Sequence, residues 1–180
     1  MHRLLNTAAA LSLLCLFARP TTAHAQRTIT HINGAAGLAV GTGSFGDRND
    51  AGYSLLLGLG INNPASALGF RIEGMYNQFD EKFARETTSH ATSLTGNLVY
   101  ELAGGRAAEL IPYVIGGVGI YSTREPDGPF ETDSRTNVGW NVGGGVRFPL
   151  SGFSVYTEAR YHSVGNVDIQ MAPIVFGVVF

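Results

Sequence analysis

The chain has 180 residues, 14 acids against 12 bases, a net charge of −2, 24 glycines and one cysteine. That length holds one domain, and the slightly acidic balance excludes a nucleic-acid partner held by a basic surface. Its ordinary hydrophobic fraction excludes a bundle of membrane helices, and the glycines show no collagen-like period.

Residues 1–25 read as a cleaved signal peptide. Arg3 supplies a short positive region, Leu4 to Ala18 is mostly apolar, and Ala23-His24-Ala25 is a small-x-small cleavage site before Gln26. The apolar run is short for a membrane span, so an uncleaved anchor is the weaker reading. Cys15 lies inside that run after Leu14, which is not the small residue a lipoprotein cysteine requires, so the mature domain, 26–180, is expected to lack cysteine and disulfides.

The mature chain shows no sustained helical period. Eight short runs alternate apolar and polar residues, separated by turn residues, which predicts an all-β barrel or sandwich. The first spans about Thr30 to Thr42, followed by a polar loop, Gly43 to Ala51. The second, Gly52 to Ile61, sets Tyr53, Leu55, Leu57, Leu59 and Ile61 against Ser54, Leu56, Gly58 and Gly60, before a turn at Asn62-Asn63-Pro64. The third, Leu68 to Phe79, sets Phe70, Ile72 and Tyr76 against Arg71, Glu73 and Asn77, and leads into a charged loop from Asp80 to His90. The fourth, Ala91 to Leu102, sets Leu94, Leu98 and Tyr100 against Ser93, Thr95, Asn97 and Glu101.

The fifth run, Leu110 to Tyr121, sets Val114, Val118 and Ile120 against Tyr113, Gly117, Gly119 and Tyr121. Ser122 to Thr136 is read as the longest loop. The sixth, Asn137 to Phe148, sets Trp140, Val142, Val146 and Phe148 against Asn141, Gly143, Gly145 and Arg147. The seventh, Phe153 to Ser163, sets Phe153, Val155 and Tyr161 against Tyr156, Glu158, Arg160 and His162. A short loop to Met171 precedes the last run, in which Ile174, Phe176, Val178 and Phe180 share one face.

A hydrophobic strand left open at its edge invites aggregation. Pairing it with the first strand, around Ile32 to Val40, removes the edge and closes a barrel. Three regularities place that barrel in lipid. With the N-terminus in the periplasm, three of the four outward connections are long and charged and the inward ones are shorter. The apolar face carries aromatics at both ends: Tyr53, Tyr76, Trp140 and Tyr161 outside, Phe70, Tyr100, Phe148, Phe153 and Phe180 inside. Trp140 to Phe148, at ~3.3 Å per residue and about 40° tilt, spans ~20 Å, close to the ~25 Å apolar band of such barrels. The competing reading packs these aromatics into a soluble sandwich core.

The polar face balances Arg71, Arg147 and Arg160 against Glu73, Glu101 and Glu158, beside inward glycines. An eight-stranded barrel has an interior only wide enough for side chains to fill. These six charges are therefore expected to pair as a plug of the lumen, because isolated charges there are very costly.

These strands resemble the small outer-membrane β-barrel family of Gram-negative bacteria, OmpA/OmpX-like in architecture. The stretches that carry the resemblance are Pro112-Tyr113-Val114-Ile115-Gly116-Gly117-Val118-Gly119, Gly139 to Val146, Glu158-Ala159-Arg160-Tyr161-His162 and Pro173 to Phe180. It implies an eight-stranded antiparallel up-and-down transmembrane β-barrel in the outer membrane. It also implies that Ile174, Phe176, Val178 and Phe180 form a signal read by the outer-membrane assembly machinery.

Catalysis is not expected. Adjacent His162 and Ser163 point to opposite faces of a strand, which argues against a lipid-hydrolase pair. Gly143-Gly144-Gly145 lacks the helix and Lys-Ser/Thr of a phosphate loop. No His pair has metal spacing, although Asp127, Glu131 and Asp133 could hold a divalent cation weakly, and the acidic loops could meet an anionic lipopolysaccharide surface through bridging cations. The expectation is a monomer in outer-membrane lipid, with no cofactor, metal or nucleic acid and a structural or surface-interaction role. The alternatives are an outer-membrane lipid-modifying enzyme and a soluble lipocalin-like binding barrel.

Overall fold

The computed structural model describes residues 28–63, 65–80, 88–102, 110–126, 132–165 and 169–180, with backbone alone at 124–126 and 132–135. The expected signal peptide and Cys15 lie outside the described residues.

The elements are β1 (Ile29–Ala39), β2 (Gly41–Thr42), α1 (Gly43–Arg48), β3 (Gly52–Asn62), β4 (Leu68–Asp80), β5 (Thr88–Glu101), β6 (Ile111–Pro126), β7 (Thr132–Pro149), β8 (Ser154–Val164), β9 (Ile169–Met171) and β10 (Ile174–Val179). Every pairing is antiparallel. β1 pairs with β3, and each strand from β3 to β8 pairs with the next. The sheet closes because β10 pairs with both β8 and β1, the latter from Asn33↔Val179 to Leu38↔Ile174. Phe180 N–H donates to the Ile32 carbonyl at 2.9 Å, and Ile32 N–H donates to the Phe180 carbonyl at 3.0 Å. The expected closure with the first strand is therefore present, and no edge remains along this seam.

Two of the eight walls are interrupted. β2 continues β1 past Val40, and β9 precedes β10 across Ala172 and Pro173; β2 and β9 pair with each other, and β9 with β8. Pro173, with no N–H to give, sits at the break, where its carbonyl still accepts from Arg160 N–H at 3.1 Å.

The alternation expected along the strands is realised. Leu57 and Val138 are 71% and 70% exposed, and Leu55, Leu59, Leu94, Leu98, Val118 and Val142 join them on the outside. Ser54, Arg71, Glu73, Asn77, Asn97, Asn141, Glu158, Arg160 and His162 are buried inside. An apolar outside around a polar inside inverts the soluble pattern and is stable where lipid is the solvent. The aromatic ends are also in place. Tyr53 lies 6.1 Å from Tyr76 and Trp140 5.8 Å from Tyr161 at one rim, and Phe153 lies 6.0 Å from Phe180 at the other. We call the rim near residues 28 and 180 the terminal end and the opposite rim the distal end.

The connections differ from expectation. The polar loop expected at Gly43 to Ala51 contains α1, a single turn and a half that starts at Gly43 with φ +59°. Its reversal is tight: a Cβ on Gly46 would stand 2.4 Å from the Gly41 carbonyl oxygen. The loop expected up to Met171 contains β9. The long loop expected from Ser122 to Thr136 is largely strand, because β6 and β7 run for 16 and 18 residues and pair as far as Pro126↔Thr132. The chain length assigned to that one loop thus goes mostly into strand. Asp127 and Glu131, expected as weak cation ligands, lie outside the described residues.

Candidate functional site: the barrel lumen

Inward side chains occupy the lumen at three heights. The middle layer is charged. β4 carries Arg71 and Glu73; β8 carries Glu158 and Arg160. These strands stand four positions apart in an eight-walled ring, so they face each other across it. They also run in the same direction, which makes the reversed order complementary: Arg71 stands level with Glu158, and Glu73 with Arg160.

The contacts follow. Arg71 Nη2 donates to Glu158 Oε2, and Arg160 Nη2 lies 2.6 Å from Glu73 Oε2. Along each strand, Arg71 Nε lies 3.4 Å from Glu73 Oε1 and Arg160 Nη2 lies 2.5 Å from Glu158 Oε1. Each carboxylate thus meets both guanidiniums in a square of zero net charge. All four side chains are almost fully buried.

Neutral groups take up the remaining lone pairs. Asn33 Nδ2 and Asn97 Nδ2 donate to the two Glu73 oxygens, each at 2.9 Å. Tyr113 Oη donates to Glu158 Oε2 at 2.8 Å. The Arg71 guanidinium lies 5.6 Å from the Tyr113 ring centre and 6.0 Å from that of Tyr156. Asn141 donates to Asn97 Oδ1 at 2.9 Å, which ties β7 into the network. Buried ions are tolerated where geometry and added hydrogen bonds offset the loss of water.

Glycine makes this layer possible. A Cβ on Gly58 would stand 2.6 Å from Glu73 Cγ, and one on Gly143 would stand 2.1 Å from the Ala159 carbonyl oxygen and 2.9 Å from Arg160 Cγ.

The six expected charges do not form one cluster. Arg147 Nη2 donates to Glu101 Oε1, but this pair stands apart at the terminal mouth, with side chains 23% and 29% exposed. It borders a vestibule of about 530 Å³, whose lining includes His31, Asn62, Ile111, Phe153 and Phe180. A second cavity, about 50 Å³, reaches from there to Arg71, Tyr113 and Tyr156.

The distal layer was not expected from the sequence. Phe45 of α1 turns into the barrel and meets Phe79 edge-on, with ring centres 5.0 Å apart at 89°. Ala39, Ala91, Tyr121, Val164, Ile169 and Met171 complete a buried apolar cap. Beneath it Tyr121 Oη and His162 Nδ1 share a hydrogen bond of 2.9 Å.

His162 faces the lumen and is fully buried, whereas Ser163 lies on the outward face in register with Trp140. The two do not converge. Among the described residues, no group of three or more His, Cys, Asp or Glu side chains could hold a metal ion.

The fold is shared with solved outer-membrane barrels. The crystal structure of Neisserial surface protein A, NspA, matches with a TM-score of 0.67 at 18% identity, over 84% of this chain and 97% of that one. Ail of Yersinia pestis, in complex with the heparin analogue sucrose octasulfate, matches with a TM-score of 0.53 at 17% identity, over 85% and 98%. The outer membrane enzyme PagL matches with a TM-score of 0.50 at 21% identity, over 82% and 97%. At such identities the likeness is one of fold, and this fold hosts a surface protein, an attachment protein and an enzyme alike. No curated protein sequence matches the chain. The sequence does match the outer membrane protein beta-barrel domain over residues 8–180, and the chain belongs to that family.

Proposed function

We propose that this outer-membrane barrel is a non-conducting, non-enzymatic monomer whose role is structural or exercised at its surface, exported by a signal peptide removed after Ala25. The observation that carries the reading is the Arg71–Glu158 and Glu73–Arg160 pairing across the lumen. Ion passage through this layer requires breaking buried charge pairs. The apolar cap around Phe45 adds a second barrier. Variation in function then belongs to the distal loops and the outer wall, not to the lumen.

Single-channel recording in planar bilayers tests this. The expected trace is flat; a large, steady conductance overturns it. The enzymatic alternative is weakened by the opposite facing of His162 and Ser163. A lipid A acyl-chain release assay, with Ser163→Ala as control, should show no difference from protein-free membranes.

A further inference from the structure

At the distal rim of the wall formed by β3, β4 and β5, the lipid-facing belt ends in a hydrogen-bonded cluster. Along the outward face of β4 the side chains read Ile72, Tyr76, Gln78, Asp80, from aliphatic through aromatic to amide and carboxylate. Gln78 is the centre. It stands in register with Tyr53 on β3 and with His90 on β5. Its Oε1 accepts from Tyr53 Oη at 2.9 Å and from Tyr76 Oη at 3.4 Å. Tyr76 Oη also shares a 2.7 Å hydrogen bond with His90 Nδ1, whose Nε2 lies 3.3 Å from Thr88 Oγ1. The Tyr53, Tyr76 and His90 rings form a continuous strip, with centres 6.1 Å and 5.7 Å apart.

This arrangement differs from a plain aromatic belt. Two tyrosine hydroxyls orient the Gln78 amide, and its NH₂ has no protein partner among the described residues. Asp80, one step further out on the same face, is exposed. Ring faces present C–H-stacking surface, while an oriented amide and a carboxylate donate to and accept from hydroxyl groups. Hydroxyl-rich rings need that combination, and a bare phosphate does not: it meets the like charge of Asp80. The patch is continuous with the hydrocarbon belt, through Leu55 and Leu57 on β3 and Ile72 on β4, so its occupant has acyl chains. With the strand termini on the periplasmic side, the distal rim lies in the outer leaflet.

We propose that Tyr53, Tyr76, Gln78, Asp80 and His90 form a lateral site for the saccharide headgroup of a glycolipid. Tyr53 and Tyr76 stack on the sugar ring, Gln78 and Asp80 bond its hydroxyls, and Leu55 and Leu57 carry its chains. The site rests on the membrane placement of the belt and not on closure of the lumen, so a conducting barrel leaves it standing.

Native mass spectrometry tests it, on barrel released from nanodiscs of equal parts monoglucosyl-diacylglycerol, phosphatidylethanolamine and phosphatidylglycerol. The wild type should retain the glucosyl lipid about tenfold over either phospholipid, an effect on the scale of one ring contact and one hydrogen bond. Gln78→Ala and Tyr53→Ala should abolish that preference, and Trp140→Ala on another wall should keep it. Tyr53→Phe, which retains the ring but frees Gln78, should lose part of it and decides the matter if Tyr53→Ala fails to fold. Retained lipids in bulk proportion, a preference for phosphatidylglycerol, or a preference unchanged by Gln78→Ala and Tyr53→Phe overturns the proposal.

Discussion

Arg160 on β8 reaches Glu73 on β4 across the full width of the lumen, with 2.6 Å between Nη2 and Oε2. Both side chains are almost completely buried, and each has a second ionic partner. Breaking such a pair leaves an uncompensated charge where water cannot follow.

Glu73→Gln should therefore destabilise the folded barrel by about 3–5 kcal/mol. Glu73→Gln combined with Arg160→Met should cost less than the sum of the two single changes, since it removes both charges. Urea titration from phospholipid vesicles measures both. Trp140, the single tryptophan, faces lipid, so its fluorescence follows the transition. Additive losses would show that the pair is not coupled.

The ionic square and the apolar cap are proposed to obstruct the lumen at two heights, and two such obstructions should act in series. Phe45→Ala opens the apolar cap but leaves the ionic square intact, so it should leave conductance at the baseline. Joined to Arg71→Ala and Glu158→Ala, it should produce discrete openings in planar bilayers. Sustained current from Phe45→Ala alone would mean that the charged layer is no barrier.

Two glycines separate lumen from lipid face. A Cβ on Gly143 would meet the Ala159 carbonyl oxygen at 2.1 Å, whereas one on Gly74 meets nothing closer than 4.0 Å. Gly143→Ala should cost about 1–3 kcal/mol by forcing neighbours apart. Gly74→Ala, on the outer face, should be close to neutral. Equal urea midpoints for the two variants would refute the packed interior.

Leu57 lies in the middle of the outer face of β3 and is 71% exposed. Leu57→Arg should cost about 2–4 kcal/mol in a bilayer, the cost of a cation near the midplane. In detergent micelles, which deform around a charge, the cost should shrink. A variant as stable as wild type in both media would contradict the placement of the belt.

Phe180 contributes a ring 6.0 Å from Phe153 and a backbone pair with Ile32. Phe180→Ala keeps the backbone pair, so its purified barrel should lose only about 1 kcal/mol. We expect a much larger fall in folded barrel in cells, because the assembly machinery is proposed to read that ring together with Ile174, Phe176 and Val178. Fractionation with heat-dependent gel mobility measures it. Matching small effects in both settings would remove the signal role.

Period-two alternation made the walls and their two faces readable in the sequence, because lipid outside and a packed lumen inside select opposite residue types at neighbouring positions. It stops carrying information where the lipid stops. Ser122 to Pro126 and Thr132 to Thr136 pair as strand, yet polar and charged residues follow one another there with no apolar alternation, so they read as loop. Phe45 is not legible as a core residue because it sits among Gly43, Ser44, Gly46 and Asp47, a turn-like context. The signal that could have found it is the pairing of one bulky residue with small inward ones, Ala39 and Ala91, which leave the distal lumen unfilled. Alternation also assigns a face and not a height. Glu101 and Arg147 share the inward face with the other charges but lie near the terminal mouth. Asn33, Tyr113 and Tyr156 are inward residues whose role appears only once opposite walls are brought together.

The parallel course of β4 and β8 bears on how this barrel finds its own alignment. A strand that slips by one residue is rejected at once, since its apolar side chains turn inward. A slip by two preserves inside and outside and passes that test. Here the reversed order of charges catches it. Shifting β8 by two in one direction sets Arg160 against Arg71; shifting it in the other sets Glu158 against Glu73. The ionic square thus serves as a key that fits one shear of the barrel, a choice that the pattern of oily and polar residues leaves open.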